Sequence, residues 1–169
     1  QPWEERLLDS VSTPFKLRNG ATKSDQWAIF YGSGPPPHWN NWNVGLATGP
    51  TPRGPFSRRP MGNPIPMILP LGFVENPMPL WLEQHGIFAA AFDFLKPQVT
   101  SPNDTTFAIA FSCDGLSWPA AHGRSVDVSS MQKNVWVRTI RTPHTPILEL
   151  DGSYTVFFTG AAATDTLDP

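Results

Sequence analysis

Three segments of the chain share one pattern of apolar and polar positions. In each, a polar turn precedes a short run of aromatic and β-branched residues that ends in a small or acidic residue. The segments are residues 26–32, 86–93 and 152–160. With Trp27, Phe88 and Tyr154 taken as equivalent points, the steps between them are 61 and 66 residues. This period predicts a repeated antiparallel unit of about four short strands with insertions.

Companion strands follow the first two aromatic segments. Residues 42–48 predict a strand, and the Gly- and Pro-rich residues 49–56 that follow predict a tight turn and a return strand. Residues 106–112 lead in the same way to Asp114-Gly115, a dipeptide that supplies the positive φ angles of a hairpin turn. The two stretches are therefore predicted to be homologous hairpins.

A third kind of strand precedes the second and third aromatic segments. In residues 74–81 and 140–148, a polar residue followed by proline stands near the start of an apolar run. Proline is tolerated at strand starts and edges. The pattern fits the innermost strand of a β-propeller blade, whose first residues line a central channel while the rest lies in the core.

The predicted fold is all-β. Helical periodicity is confined to a short stretch near residues 4–10, which is too short for a stable helix. The repeats amount to about two and a half four-stranded propeller blades, and a closed propeller has at least about four. We therefore expect further polypeptide to complete the ring. Residues 1–22 are assigned to an N-terminal extension or edge strand, and residues 23–169 to a partial β-propeller domain.

Composition supports β structure and limits the partners. Twenty prolines and thirteen glycines are too many for a helical protein. Seven tryptophans and eleven phenylalanines suit both strand faces and sugar-stacking platforms. A net charge of −2 gives no case for nucleic-acid binding, and no apolar run approaches the ~20 residues that span a bilayer. The single cysteine, Cys113, is expected to be a small buried hydrophobe.

Two features favour a secreted or lumenal glycoprotein. The chain opens at Gln1, which indicates processing or trimming, and Asn103-Asp104-Thr105 is an N-glycosylation acceptor in a polar stretch typical of surface loops. We therefore expect an extracellular or lumenal location, with a glycan on Asn103.

Several motifs, taken in order, resemble the blades of five-bladed glycosidases related to families 43, 32 and 117. The motifs are residues 44–56, 73–77, 111–118, 137–143 and 150–160, and the likeness runs from about Trp27 to Gly160. The resemblance implies a five-bladed propeller that hydrolyses or transfers glycosidic bonds with carboxylates at the mouth of its channel. Such chemistry needs one carboxylic acid that protonates the leaving oxygen and a second carboxylate that acts as base or nucleophile.

Glu75 is the first candidate catalytic residue, because the family motif places an acidic residue at this start of an inner strand. An apolar wall from Phe73 or Trp81 would favour a general acid here. The alternative is a structural carboxylate paired with an arginine. Arg141 occupies the equivalent place in the next blade, where the families usually have a carboxylate. An arginine there can clamp a sugar carboxylate or fix Glu75, but it cannot act as acid or base at neutral pH.

The sequence allows two interpretations for most of the remaining candidate residues. Asp93 is a second candidate catalytic carboxylate at the end of its strand, or alternatively a turn residue. His144 faces either the channel, where it would bind substrate, or the core or solvent. Aromatic side chains are candidate sugar platforms, with loop packing as the alternative for the first two: Trp39, Trp42 and Trp81. Asp25, Asp114 and Asp151 are expected to be turn residues.

The sequence therefore predicts a glycoside hydrolase-like protein that acts on or binds a poly- or oligosaccharide at the channel mouth. The alternatives are a carbohydrate-binding or structural propeller without activity and, third, a protein-interaction propeller. No cofactor or metal is predicted, although a structural calcium stays open.

Overall fold

The computed structural model describes residues 2–4, 11–18, 26–34, 42–59, 62–68, 73–95, 106–126 and 139–161. Within them the secondary structure is antiparallel β strand, apart from two 3-10 turns at Pro2–Glu4 and Ala120–His122. The predicted all-β class is confirmed. None of the described helical turns has the length and apolar character that crossing a membrane requires.

Two four-stranded antiparallel sheets form in chain order. The first sheet contains β1 (Phe15–Lys16), β2 (Trp27–Ser33), β3 (Asn43–Gly49) and β4 (Ser57–Arg58). The second sheet contains β5 (Phe73–Leu82), β6 (Ile87–Leu95), β7 (Thr106–Ser112) and β8 (Arg124–Ser125). Each strand pairs with its neighbour in sequence, which is the arrangement the alternating segments and turns predict.

A third unit, here called the third ladder, repeats the first half of the second sheet. In it β9 (Thr139–Arg141) pairs with β12 (Thr159–Ala161), and β10 (Ile147–Leu148) pairs with β11 (Tyr154–Thr155). Arg141 lies opposite Thr159 as Glu75 lies opposite Asp93, an offset of 66 residues. The internal repeat inferred from sequence is therefore also a repeat of strand register.

The backbone repeats an unusual conformation at the same place. Asn76 and Thr142, also 66 residues apart, both have left-handed φ angles, 51° and 50°. Side chains other than glycine rarely adopt this region, and asparagine tolerates it better than threonine. In each case the residue follows a charged side chain and precedes a buried proline, Pro77 or Pro143. The two strand starts are thus built alike.

The first and second sheets share one hydrophobic core. Alternate residues of β6 belong to it, because side chains of a strand point alternately to its two faces; they are Phe88, Ala90, Phe92 and Phe94. Trp118 and Phe30 meet there edge-to-face with ring centroids 5.2 Å apart. Phe107, Ile140 and Phe158 form a second cluster between the second sheet and the third ladder. The three units therefore pack in chain order.

Some local expectations need correction. Gly115 has a positive φ of 78°, and Asp114 Oδ1 accepts the N–H groups of Leu116 and Ser117, so this is a turn. The return strand begins only at Arg124, because an intervening segment packs Trp118 into the core, and so the turn is not a two-residue hairpin.

Cys113 is exposed rather than buried, since it lies in this turn. Asn103, the glycosylation acceptor, is outside the described residues, and secretion stays a prediction.

Candidate functional site

Three charged side chains from three strands converge between the second sheet and the third ladder. Glu75, near the start of β5, lies directly opposite Asp93 of β6. Arg141, the last residue of β9, donates from Nη2 to Glu75 Oε2 and from Nε to Asp93 Oδ2, the latter over 3.2 Å. One guanidinium therefore holds both carboxylates, which is the contact between Glu75 and an arginine that the sequence offered as an alternative.

A β-bulge aims these side chains. The register of β5 against β6 shifts between Glu75 and Met78, and Asn76 takes its left-handed conformation inside that shift. A bulge bends the strand and redirects the neighbouring side chains. Asn76 Nδ2 then donates to Asp93 Oδ2 over 2.9 Å. Asn76 is a site residue that the sequence reasoning missed; its position between a polar residue and Pro77 was the available signal.

Burial separates the roles of the two carboxylates. The Asp93 side chain is 0% exposed and that of Glu75 is 12% exposed. Burial raises the pKa of Asp93 to about 6, an increase that the bond from Asn76 and the charge of Arg141 oppose and the charge of Glu75 reinforces. Among the described residues, Asp93 Oδ1 has no hydrogen-bond partner. Asp93 therefore carries an incompletely compensated buried charge at neutral pH.

This burial predicts a pH-dependent stability. Below its ordinary pKa of 3.8 the Asp93 carboxyl is protonated in both states, and the folded protein keeps the proton up to about pH 6. The contribution of Asp93 to the free energy of unfolding should therefore fall by about 2 kcal/mol as pH rises from 4 to 7. We expect Asp93→Asn, whose amide oxygen can accept the same two bonds, to flatten this part of the profile. Urea denaturation at several pH values measures it, and an unchanged slope in the variant would contradict the assignment.

The arrangement limits the chemistry of each group. Glu75, ion-paired and partly exposed, is suited to accept hydrogen bonds or to act as base or nucleophile, whereas a general acid must hold a proton. Asp93 holds a proton under mildly acidic conditions, but it is buried away from solvent. Arg141 has further N–H groups beyond the two already engaged. The site therefore presents one accessible carboxylate beside one accessible guanidinium.

The other predicted site residues lie at varied distances from this cluster. Phe73 is adjacent, with its ring centroid 5.9 Å from Arg141 Cζ. Trp42 is at the same end of the sheets, because its carbonyl accepts the N–H of Val74. Trp81 lies six residues along β5 from Glu75, about 20 Å away, and packs edge-to-face on Phe88. The structure therefore does not bring Trp81 to the cluster.

His144 is exposed, and its backbone N–H donates to the carbonyl of Phe157 over 2.8 Å. Trp39 lies outside the described residues. Asp151 is a turn residue, as expected, since its Oδ1 accepts both the N–H and the hydroxyl of Ser153. In the part of the chain that the structure describes, no three acidic, histidine or cysteine side chains are grouped closely enough to hold a metal ion.

A second polar cluster forms around Tyr31 of β2 in the first sheet. The Tyr31 hydroxyl donates to Glu4 Oε1 over 2.6 Å, Arg58 Nη1 donates to Glu4 Oε2 over 2.8 Å, and Asn63 Nδ2 donates to the Tyr31 oxygen over 3.1 Å. Trp3 stacks on the Tyr31 ring. These contacts attach the Pro2–Glu4 turn to the sheet. No local pattern in the sequence indicates these contacts, because they join residues 27 to 54 positions apart.

Comparisons with known proteins give a distant structural match. No family model matches the chain, and no curated protein matches it in sequence. Among solved structures it is similar to Zg3597, a family 117 glycoside hydrolase from the marine bacterium Zobellia galactanivorans, with a TM-score of 0.52 and 15% identity. The match covers 90% of this chain and 48% of that one, so the chain spans about half of its length. The chain therefore has a distant structural relationship to part of a family 117 glycoside hydrolase.

Proposed function

We propose that the protein binds a poly- or oligosaccharide at the cluster of Glu75, Asp93 and Arg141, within a β-propeller of the glycosidase type. The observation that carries the proposal is the convergence of Glu75 and Arg141, which hold equivalent register positions in the second sheet and the third ladder. In a propeller, the first part of each innermost strand lines the mouth of the central channel, and β9 with β10 corresponds to the innermost strand β5. The distant structural relationship to a glycoside hydrolase supports a carbohydrate as the ligand.

The cluster offers complementary hydrogen-bonding groups to a sugar. The Glu75 carboxylate accepts hydroxyl protons, and the remaining N–H groups of Arg141 donate to hydroxyl or ring oxygens. Asp93 does not touch the ligand; with Asn76 it fixes the guanidinium from behind. With both carboxylates ionised, the three charged groups sum to one negative charge, which disfavours acidic sugars relative to neutral ones.

Hydrolysis is the second candidate function, favoured by the partial exposure of Glu75. It requires a second accessible carboxylate at roughly 5 to 10 Å from Glu75, depending on whether configuration is retained or inverted. Asp93 is a poor choice because it is buried and bonded to the same guanidinium as Glu75. In this alternative, the second carboxylate comes from polypeptide beyond the described residues.

Substitution of Glu75 tests the proposal directly. We expect Glu75→Gln to weaken binding of a responsive oligosaccharide by roughly tenfold or more, since a charge-assisted hydrogen bond contributes about 1.5 to 3 kcal/mol. Calorimetric titration against a panel of neutral oligosaccharides measures the affinity, and product analysis on the same panel measures hydrolysis.

Glu83→Gln is the matched control. Glu83 lies in the exposed turn between β5 and β6, so this variant loses the same charge far from the cluster and should bind as the unsubstituted protein does. Equal binding by both variants would remove Glu75 from the site. If Glu75→Gln loses both binding and the circular dichroism spectrum of the folded protein, the lost binding reflects unfolding and not contact with the sugar. Arg141→Lys, which keeps the charge, is then the second variant: lost binding with a folded spectrum indicates contact with the sugar.

A further inference from the structure

Thr142 combines a costly backbone conformation with a side chain that has no structural use in the described contacts. Its φ angle is 50°, in the left-handed region that β-branched residues rarely adopt. It also precedes Pro143, and a residue before proline favours extended conformations. Glycine or asparagine would adopt the left-handed conformation at a lower cost. The backbone conformation alone therefore does not account for a threonine at this position.

The equivalent residue of the second sheet does have a structural use. Asn76, 66 positions earlier, has the same left-handed conformation and donates from Nδ2 to Asp93 Oδ2 over 2.9 Å. Asp93 lies directly opposite Glu75, so these two side chains share one side of the sheet. Consecutive residues of a regular strand point to opposite sides. The left-handed conformation therefore turns Asn76 to the side that its predecessor Glu75 occupies.

Thr142 repeats this geometry without the hydrogen bond. The residue that corresponds to Asp93 is Thr159, which lies opposite Arg141 in the third ladder. Within the described part of the chain, the Thr142 hydroxyl forms no hydrogen bond to Thr159 or to another residue. Asn76 finds its partner inside its own sheet, and the corresponding strand is present here. The unused hydroxyl therefore follows from the identity of these two residues and not from an uncovered edge.

The repeat places the Thr142 side chain on the same side as Arg141. Arg141 holds Glu75 and Asp93 and has further N–H groups beyond the two that these bonds engage. Thr142 is partly exposed, as Asn76 is. An unused hydroxyl with access to solvent therefore accompanies the unused N–H groups of the guanidinium.

We infer that the Thr142 hydroxyl is a further sugar-contacting group, which binds a hydroxyl of the same neutral saccharide that Glu75 and Arg141 bind. This inference rests on the proposed function. A threonine hydroxyl both donates and accepts, so it matches the hydroxyl groups of a neutral sugar and adds no charge to the cluster. Backbone conformations of this cost persist at sites that use them, which gives the threonine a reason to be there.

Three substitutions of Thr142 separate its hydroxyl from its backbone conformation. Thr142→Val removes the hydroxyl and keeps the β-branched shape, so it should weaken binding of a responsive neutral oligosaccharide by roughly threefold to tenfold. Thr142→Ser keeps the hydroxyl and should bind as the unsubstituted protein does. Thr142→Gly suits the left-handed conformation, so it should weaken binding as valine does while the melting temperature stays unchanged or rises by a few degrees.

Calorimetric titration measures the affinity of each variant, and thermal denaturation measures its melting temperature. Thr155→Val is the matched control. Thr155 is also partly exposed, and it pairs with Ile147 at the other end of the third ladder, away from Arg141. This variant loses the same hydroxyl group and should bind as the unsubstituted protein does.

Weaker binding by the valine and glycine variants of Thr142, with binding kept by Thr142→Ser and Thr155→Val, supports the inference. If Thr142→Val binds as tightly as the unsubstituted protein, the inference is overturned and the saccharide site at Glu75 stands. A melting temperature that falls together with the affinity in both the valine and glycine variants indicates a packing role and also overturns it. If the unsubstituted protein binds no oligosaccharide of the panel, the proposed function fails and the inference fails with it.

Discussion

Replacement of Arg141 by methionine is expected to lower the free energy of unfolding at pH 7 by about 3 to 5 kcal/mol, because removing one member of a buried ion pair leaves the other charge uncompensated. Arg141 is the partner of two carboxylates, and Asp93 is fully buried. For a domain of this size, such a loss corresponds to a melting temperature lower by roughly 10 °C. Thermal and urea denaturation measure the effect.

The pH dependence of this loss identifies its cause. Arg141 opposes the increase that burial gives the pKa of Asp93, so in Arg141→Met that pKa should lie above its value of about 6 in the unsubstituted protein. The deficit should therefore shrink as pH falls from alkaline values toward 6, because Asp93 in the variant takes up a proton and needs no cation. The double variant Asp93→Asn with Arg141→Met should recover part of the stability at pH 7. Arg53→Met, at an exposed turn position, removes the same charge and should be nearly neutral. A deficit independent of pH would show that lost packing, not the buried charge, is responsible.

Trp118→Ala is expected to cost about 3 to 5 kcal/mol, the range for truncating a buried aromatic side chain. The Trp118 side chain is among the largest that are fully buried, packs on Phe30, and donates its indole N–H to the carbonyl of Gly115 over 2.9 Å. It therefore joins the turn after β7 to the core between the first two sheets. Equilibrium urea denaturation gives the magnitude.

Trp118→Phe is the matched variant for the core. It keeps most of the apolar contact and loses the hydrogen bond to Gly115, so the loss should be clearly smaller than for alanine. Equal losses in the two variants would mean that the indole hydrogen bond, rather than the buried volume, dominates at this position. Val126→Ala, at an exposed position near the end of the same segment, should change stability little.

Strand positions could be predicted from the sequence because they depend on local patterns. The strand expected at residues 106–112 coincides with β7, Thr106–Ser112, and the aromatic segment 26–32 overlaps β2, Trp27–Ser33. Side-chain period and turn residues act over a few positions, so the chain itself carries them. The long connection from Ser112 to β8 could not be predicted in this way, since burial of Trp118 rather than Asp114-Gly115 determines where the strand returns.

The candidate site also combines features that follow from local sequence with features that depend on tertiary packing. The sequence by itself determined the repeated polar-residue and proline pattern that marks Glu75 and Arg141 as equivalent strand starts. Only the tertiary structure decided that Asp93 lies beneath them without exposure, that Asn76 supports it, and that one guanidinium holds both carboxylates. The physical reason is that these contacts join residues 17 to 66 positions apart and depend on a bulge and on the packing of two sheets, which no local pattern encodes.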